Sequence, residues 1–343
     1  MDSVVLELNK IKMKTKNKFD FNDILIQPAK VSSISSRKDI NPFYDGFLPL
    51  ITAPMDTVVN EKNNPLFTLL NIRTCLPRGE ENQYGFTSYS LAEIETNFLM
   101  LDPKGMYLID IANGHMEKLV IVIKRIKRKY PKLILMVGNI ANPQTYIVLS
   151  KAGADYVRIG IGNGGGCSTT VHTGVGYPMG SLVSECYFES CKLKKPAKIV
   201  ADGGMQNYGD IIKALALGAD YVMVGSLFNK AIESCGDNYL WKKIKVCQGI
   251  AEWVYKNKIP VYKKFRGMST KEVQKKWGKE ELTTSEGVVR FRRVEYTLQQ
   301  WVENFESYLR SAMSYSNAKT LEEFIGIADT IQITNNAYKR FNK

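Results

Sequence analysis

Short apolar runs alternate with amphipathic stretches along most of the chain. Seven runs read as buried strands: 49–54 (PLITAP), 72–76, 106–112 (MYLIDIA), 133–140 (LILMVGNI), 154–162 (ADYVRIGIG), 197–204 (AKIVADGG) and 219–226 (ADYVMVGS). They are short and mostly rich in Val, Ile and Leu, as strands covered on both faces are. Between them, residues 115–129, 143–152 and 208–217 carry helical spacing. This β-α alternation predicts a parallel sheet covered by helices. An eighth strand is expected at 24–27, and eight strands favour a closed (β/α)8 TIM barrel, an α/β fold, over an open doubly wound sheet. From Phe265 onward the chain reads as loop and then helices at 298–311 and 320–328. No linker or low-complexity segment divides it, so residues 1–343 are read as one barrel domain.

Charge and composition narrow the function. Among 343 residues, 47 Lys and Arg against 34 Asp and Glu leave a formal net charge of +13. The basic runs at 10–18, 124–129 and 192–195 read as solvated faces, since no aromatic-interleaved or zinc-knuckle module accompanies them. Nucleic acid is therefore not an expected partner, while the overall field favours anionic ligands such as nucleotides. No apolar stretch approaches the roughly 18 residues of a membrane span, and the N-terminus lacks a signal-peptide apolar region. A cytoplasmic protein without membrane association is expected. Six cysteines without a C-x-x-C pair, and only His115 and His172 without H-E-x-x-H, argue against a disulfide framework and a protein-ligated zinc.

The chemistry-bearing residues lie at strand C-terminal ends, where such folds place ligands. Asp202-Gly203-Gly204 and Gly225-Ser226 close the last two strands. Free backbone N–H groups at such glycines can cradle a phosphate. The strand before them runs into Gly160-Ile161-Gly162-Asn163-Gly164-Gly165-Gly166-Cys167-Ser168-Thr169-Thr170. Five glycines in seven residues lead to Cys167, and that setting favours a nucleophilic thiolate over a packed structural cysteine. G-x-G-x-x-G occurs within the run, but no acidic ribose-binding residue on a Rossmann-type strand follows, so a dinucleotide fingerprint is discarded.

These residues carry a family resemblance. Ala53-Pro54-Met55-Asp56-Thr57-Val58, Asp110-Ile111-Ala112-Asn113-Gly114, Gly138-Asn139, Gly160-Ile161-Gly162 with Cys167, Thr173-Gly174-Val175-Gly176-Tyr177-Pro178, Ala201-Asp202-Gly203-Gly204, Met223-Val224-Gly225-Ser226, Arg266-Gly267-Met268-Ser269 and Ser285-Glu286-Gly287 follow in order. The chain resembles the IMP dehydrogenase/GMP reductase family across most of its length. The resemblance implies a (β/α)8 barrel, a homotetramer, a purine 5′-monophosphate substrate and a nicotinamide cofactor, NADPH or NAD. It implies that Cys167 attacks carbon 2 of the purine, with Thr169 and Glu286 managing protons. Asp202 would hold the ribose, and Gly203, Gly204, Gly225 and Ser226 the phosphate. Arg266, Gly267, Met268, Ser269, Ser285 and Gly287 would complete the substrate site. Arg78, Asp110 and Asn113 would face the cofactor, and the carbonyls of Gly162, Gly164 and Cys167 would hold K⁺.

Three features favour the reductase branch. The stretch 78–104 leaves no room for an inserted pair of CBS modules, the flap 269–284 contains no Arg-Tyr pair, and 109–114 resembles the reductase form of that strand end. Four departures bear on substrate identity. The family's Ser two residues before the nucleophile is replaced within Gly165-Gly166-Cys167, and Thr170 and Thr283 stand where an Arg is usual. Pro77-Arg78-Gly79 replaces a His-Lys-His. The alternatives are an IMP dehydrogenase without CBS modules, a nucleotide-binding paralogue without turnover, and a flavin-dependent barrel enzyme using His115 as base.

Overall fold

The computed structural model describes residues 17–277, 284 and 287–341. Eight parallel strands form the barrel: β1 (Leu50–Thr52), β2 (Cys75–Leu76), β3 (Phe86–Tyr89), β4 (Met106–Asp110), β5 (Ile134–Ile140), β6 (Tyr156–Ile159), β7 (Lys198–Asp202) and β8 (Tyr221–Val224). From β2 to β8 each pairs parallel with its neighbours in chain order, and β8 returns to β1. The ring closes between β1 and β2 through Arg73, whose N–H donates to Leu50 O at 3.2 Å and whose carbonyl accepts from Thr52 N–H at 3.0 Å.

Alternation along the strands divides the apolar residues into two cores, because successive side chains point to opposite faces. Ile51, Phe86, Leu108, Met136, Tyr156, Val200, Tyr221 and Met223 fill the barrel. Their chain neighbours, among them Leu50, Ile109, Val157, Ile199 and Val222, pack outward in the core that the helices cover. Those helices include Glu117–Lys129, Pro143–Ala152, Met179–Ser190, Tyr208–Ala216 and Leu298–Tyr315. The last is capped by Thr297, whose hydroxyl accepts from Gln300 N–H, and it buries Trp301, Phe305, Leu309 and Met313 on one face.

Three expectations are corrected. The apolar run near Ile24 does form a strand, but Ile24–Ile26 pairs antiparallel with Thr330–Gln332 outside the barrel. The eighth barrel strand is instead β3, which reads Phe-Thr-Ser-Tyr and lacks an apolar run because Ser88 is buried through hydrogen bonding to Leu76 O at 2.5 Å. Residues 320–328 form turns rather than a helix. Around Phe265 the chain is not simply loop: β9 (Asn238–Leu240), β10 (Ile244–Val246), β11 (Val261–Arg266) and β12 (Val289–Arg293) make an antiparallel sheet ordered β10-β9-β11-β12. Its signal was masked by Lys263, which is fully buried and donates to Ser234 O at 2.5 Å and Gln248 Oε1 at 3.3 Å.

Two outcomes test these assignments. Phe86 packs edge-on against Tyr156 with ring centroids 5.3 Å apart. Phe86→Ala should cost about 3–5 kcal/mol in denaturant unfolding, as truncating a filled core does, and a loss below about 1 kcal/mol would place Phe86 outside the core. Burial lowers the Lys263 pKa to about 8 from the ordinary 10.5. The unfolded chain therefore binds this proton more tightly. Stability should rise with pH between those values by on the order of 1 kcal/mol per pH unit relative to Lys263→Met, and level off below pH 8. Parallel pH profiles of the two proteins would contradict the burial.

Candidate active site

The inward face of the barrel ends, at the C-terminal ends of its strands, in charge rather than hydrocarbon. Arg158 stands two residues past Tyr156 on β6, and on the same face Asp110 and Asp202 end β4 and β7. Its Nη1 donates to Asp110 Oδ1 at 2.7 Å and its Nε to Asp202 Oδ2 at 2.9 Å. Burial works against the guanidinium charge, but the carboxylates of Asp202 and Asp110 outweigh it and hold its pKa above the ordinary arginine value. Asn139 extends the network, since its Nδ2 donates to Asp202 Oδ2 at 2.8 Å and Gly160 O at 2.7 Å. Arg78 joins from the loop after β2, with Nε 3.4 Å from Asp110 Oδ2 and a further hydrogen bond to the Asp110 carbonyl.

A cavity of about 780 Å³ opens above this layer. On one wall the glycine run carries Cys167, whose Sγ lies 3.1 Å from the Thr169 hydroxyl. The run is held from both sides. Cys167 N–H donates to Gly164 O at 2.9 Å, Gly166 O accepts from Val288 N–H at 3.0 Å, and Cys167 bridges Gly287. Gly267 N–H donates to Val288 O at 3.1 Å, and a Cβ on Gly267 would lie 2.3 Å from Gly166 O, so only glycine permits this approach. Beside the run, Gly203 and Gly204 take φ of +89° and +92°, in the region that favours glycine, and turn the chain directly after Asp202. Gly225 and Ser226 close β8 beside them, and all four line the cavity.

Most of the expected residues meet here. Arg78, Asp110, Asn113, Gly162, Gly164, Cys167, Thr169, Asp202, Gly267, Met268 and Ser269 all line the same cavity as the four phosphate candidates. Arg266 is placed differently: its guanidinium turns away to Asp56, with Nη2 2.6 Å from Oδ2, and to Glu272. Gly287 reaches the site through its bridge to Cys167. Ser285 and Glu286 lie outside the described residues. His115 is spent on structure, with Nε2 accepting from Ala141 N–H at 3.1 Å and Nδ1 3.0 Å from Thr145 Oγ1. Burial lowers its pKa. Sequence reasoning missed Arg158 and Trp277 as lining residues and gave Asn139 no role. The signal for Arg158 was a charged residue at an inward position of an otherwise apolar strand.

If the two carboxylates depend on Arg158, Arg158→Met leaves Asp202 without its cation and Asp110 with Arg78 alone. The variant should lose on the order of 3 kcal/mol or more in unfolding free energy, as breaking a buried ion pair does. Wild-type stability in the variant would show the network to be dispensable.

Comparison with known proteins places this arrangement. Residues 97–341 match the family described as IMP dehydrogenase / GMP reductase domain. A Caenorhabditis elegans protein named GMP reductase is 29% identical over an alignment covering 94% of this chain and 94% of its own length. Human GMP reductase 1 is 30% identical, covering 92% of this chain and 95% of its own. The inosine-5′-monophosphate dehydrogenase of Chlorobaculum parvum is 34% identical, but over 66% of this chain and 44% of its own length. Among the described residues no helix is long and apolar enough to cross a membrane. With the strand-end glycines, the cysteine loop and the barrel beneath them all accounted for, the chain belongs to the IMP dehydrogenase/GMP reductase family.

Proposed function

We propose that this chain is a GMP reductase, removing the 2-amino group of guanosine 5′-monophosphate as ammonia and leaving inosine 5′-monophosphate. The observation that carries this reading is Cys167 Sγ with the Thr169 hydroxyl at 3.1 Å, in one cavity with two glycine-bearing strand ends. The names of full-length relatives at 29% and 30% identity support the reductase over the dehydrogenase.

In this reading the Cys167 thiolate attacks carbon 2 and forms an S–C bond. The C–N bond breaks as the amino nitrogen takes a proton and leaves with the electron pair. Glu286 acts as the carboxyl acid and Thr169 relays its proton, since ammonia leaves readily only when protonated. Gly287, the next residue after Glu286, bridges Cys167, which supports that role. NADPH, when bound, supplies the hydride that reduces carbon 2, after which the S–C bond breaks and its electron pair returns to sulfur. Arg78 lies over the Trp277 ring at 4.6 Å on the cavity wall, and this cation on a flat ring fits a dinucleotide with aromatic rings and phosphates. Asn113 and Asp110 line the same cavity. The carbonyls of Gly162, Gly164 and Cys167 offer K⁺ the all-oxygen ligands a hard cation prefers. The protein acts, in this reading, as a cytoplasmic homotetramer.

The deciding assay supplies GMP with NADPH, and separately IMP with NAD, and follows reduced-nicotinamide absorbance and ammonia. The expected result is NADPH consumption matched by ammonia. Cys167→Ala should keep GMP binding and lose about a thousandfold or more in turnover, as expected when a covalent catalyst is removed. NAD reduction with IMP and no ammonia from GMP would make the chain a dehydrogenase instead.

A further inference from the structure

We propose that Arg292 is the cation that receives the 5′-phosphate of the substrate, standing where a side chain on residue 165 would otherwise reach. The proposal rests on the nucleotide reading of the cavity given above. Arg292 lies on β12, and its guanidinium stacks over the Phe265 ring at 4.7 Å. Phe265 in turn lines the cavity. A methyl group on Gly165 would lie 3.0 Å from Arg292 Nη2 and 3.9 Å from Ser226 Cβ and Oγ. The glycine run, the end of β8 and the guanidinium thus converge on one spot. The end of β7 joins them, because a Cβ on Gly203 would come within 2.8 Å of Gly164 N.

The charge at that spot is unmet among the described residues. Among the described residues no carboxylate forms an ion pair with Arg292, and its Nε is enclosed without a hydrogen-bond partner. Glu295, the acid whose field favours the charge, is itself paired with Lys230 at 3.0 Å. Burial, reinforced by Arg290, lowers the Arg292 pKa. A half-buried guanidinium without an anion is costly, and one that meets a phosphate gains two charge-assisted hydrogen bonds from a matched planar fork. Backbone N–H groups alone orient a phosphate, whereas this cation neutralises it. A glycine at 165 is then required, because a larger residue would take the space of Nη2.

The test compares binding of GMP and guanosine, which differ by the phosphate, in the wild type, Arg292→Gln, Arg292→Lys and Gly165→Ala. Arg292→Gln should weaken GMP by about tenfold or more while leaving guanosine within about twofold, and Arg292→Lys should recover part of the loss. Gly165→Ala, whose methyl presses on the flexible end of Arg292 and so should fold, should lower the GMP-to-guanosine preference in the same direction. The KM for NADPH should stay unchanged in all three. An unchanged GMP preference in both Arg292→Gln and Gly165→Ala, or an equal loss for GMP and guanosine, overturns the assignment while the nucleotide reading stands. A wild type that does not prefer GMP to guanosine overturns both.

Discussion

The upper half of this barrel depends on one arginine held between two carboxylates. Arg158 sits on β6, and Asp110 and Asp202 end β4 and β7. Asn139, from β5 between them, donates to Asp202 as well. Four adjacent strands are therefore pinned at the level where apolar packing stops. Each charge would be expensive there alone, and the cost is offset only because every member has a partner. A site built on such a layer is rigid where substrate must be oriented and polar where it must be recognised.

The loop that carries Cys167 inherits its position from the same network. Asn139 holds the Gly160 carbonyl with the same amide that reaches Asp202, so the point where the loop leaves β6 is fixed relative to the acid expected at the ribose. From there glycine lets backbone approach backbone, as where Gly166 O lies against Gly267. Cys167 is thus carried by a frame, and its reach across the cavity is set by strands on both sides.

Much of this was legible in the chain. Seven barrel strands announced themselves as apolar runs, and their glycine-bearing ends marked the cavity, because parallel strands buried on both faces leave few other sequence choices. What was hidden follows one rule. β3 satisfies its buried hydroxyls with backbone groups, the Leu76 carbonyl and the Asn82 N–H, and β11 buries a lysine on carbonyl and amide oxygens, so neither carries the hydrophobic pattern that declares a strand. Ile24–Ile26 has the pattern without the place, since three apolar residues suit an outer antiparallel pair equally well. Arg158 offered only its charge on an inward strand position and Arg292 nothing at all, because their meaning lies in which side chains surround them, and those come from segments far apart in sequence.

The lacing of the glycine run to Gly287 and Val288 also constrains how the molecule comes into being. Cys167 and Gly287 are about 120 residues apart in sequence. Contacts so distant are slow to find, because the entropy of closing the intervening chain is lost before any contact compensates for it. During synthesis the eight barrel strands are complete once Val224 has emerged, but the Cys167 loop lacks its outer partner until Gly287 and Val288 follow. A chain that ends its barrel strands at Val224 therefore still lacks the segment that backs Cys167, so the cavity and its wall are encoded by stretches far apart in sequence.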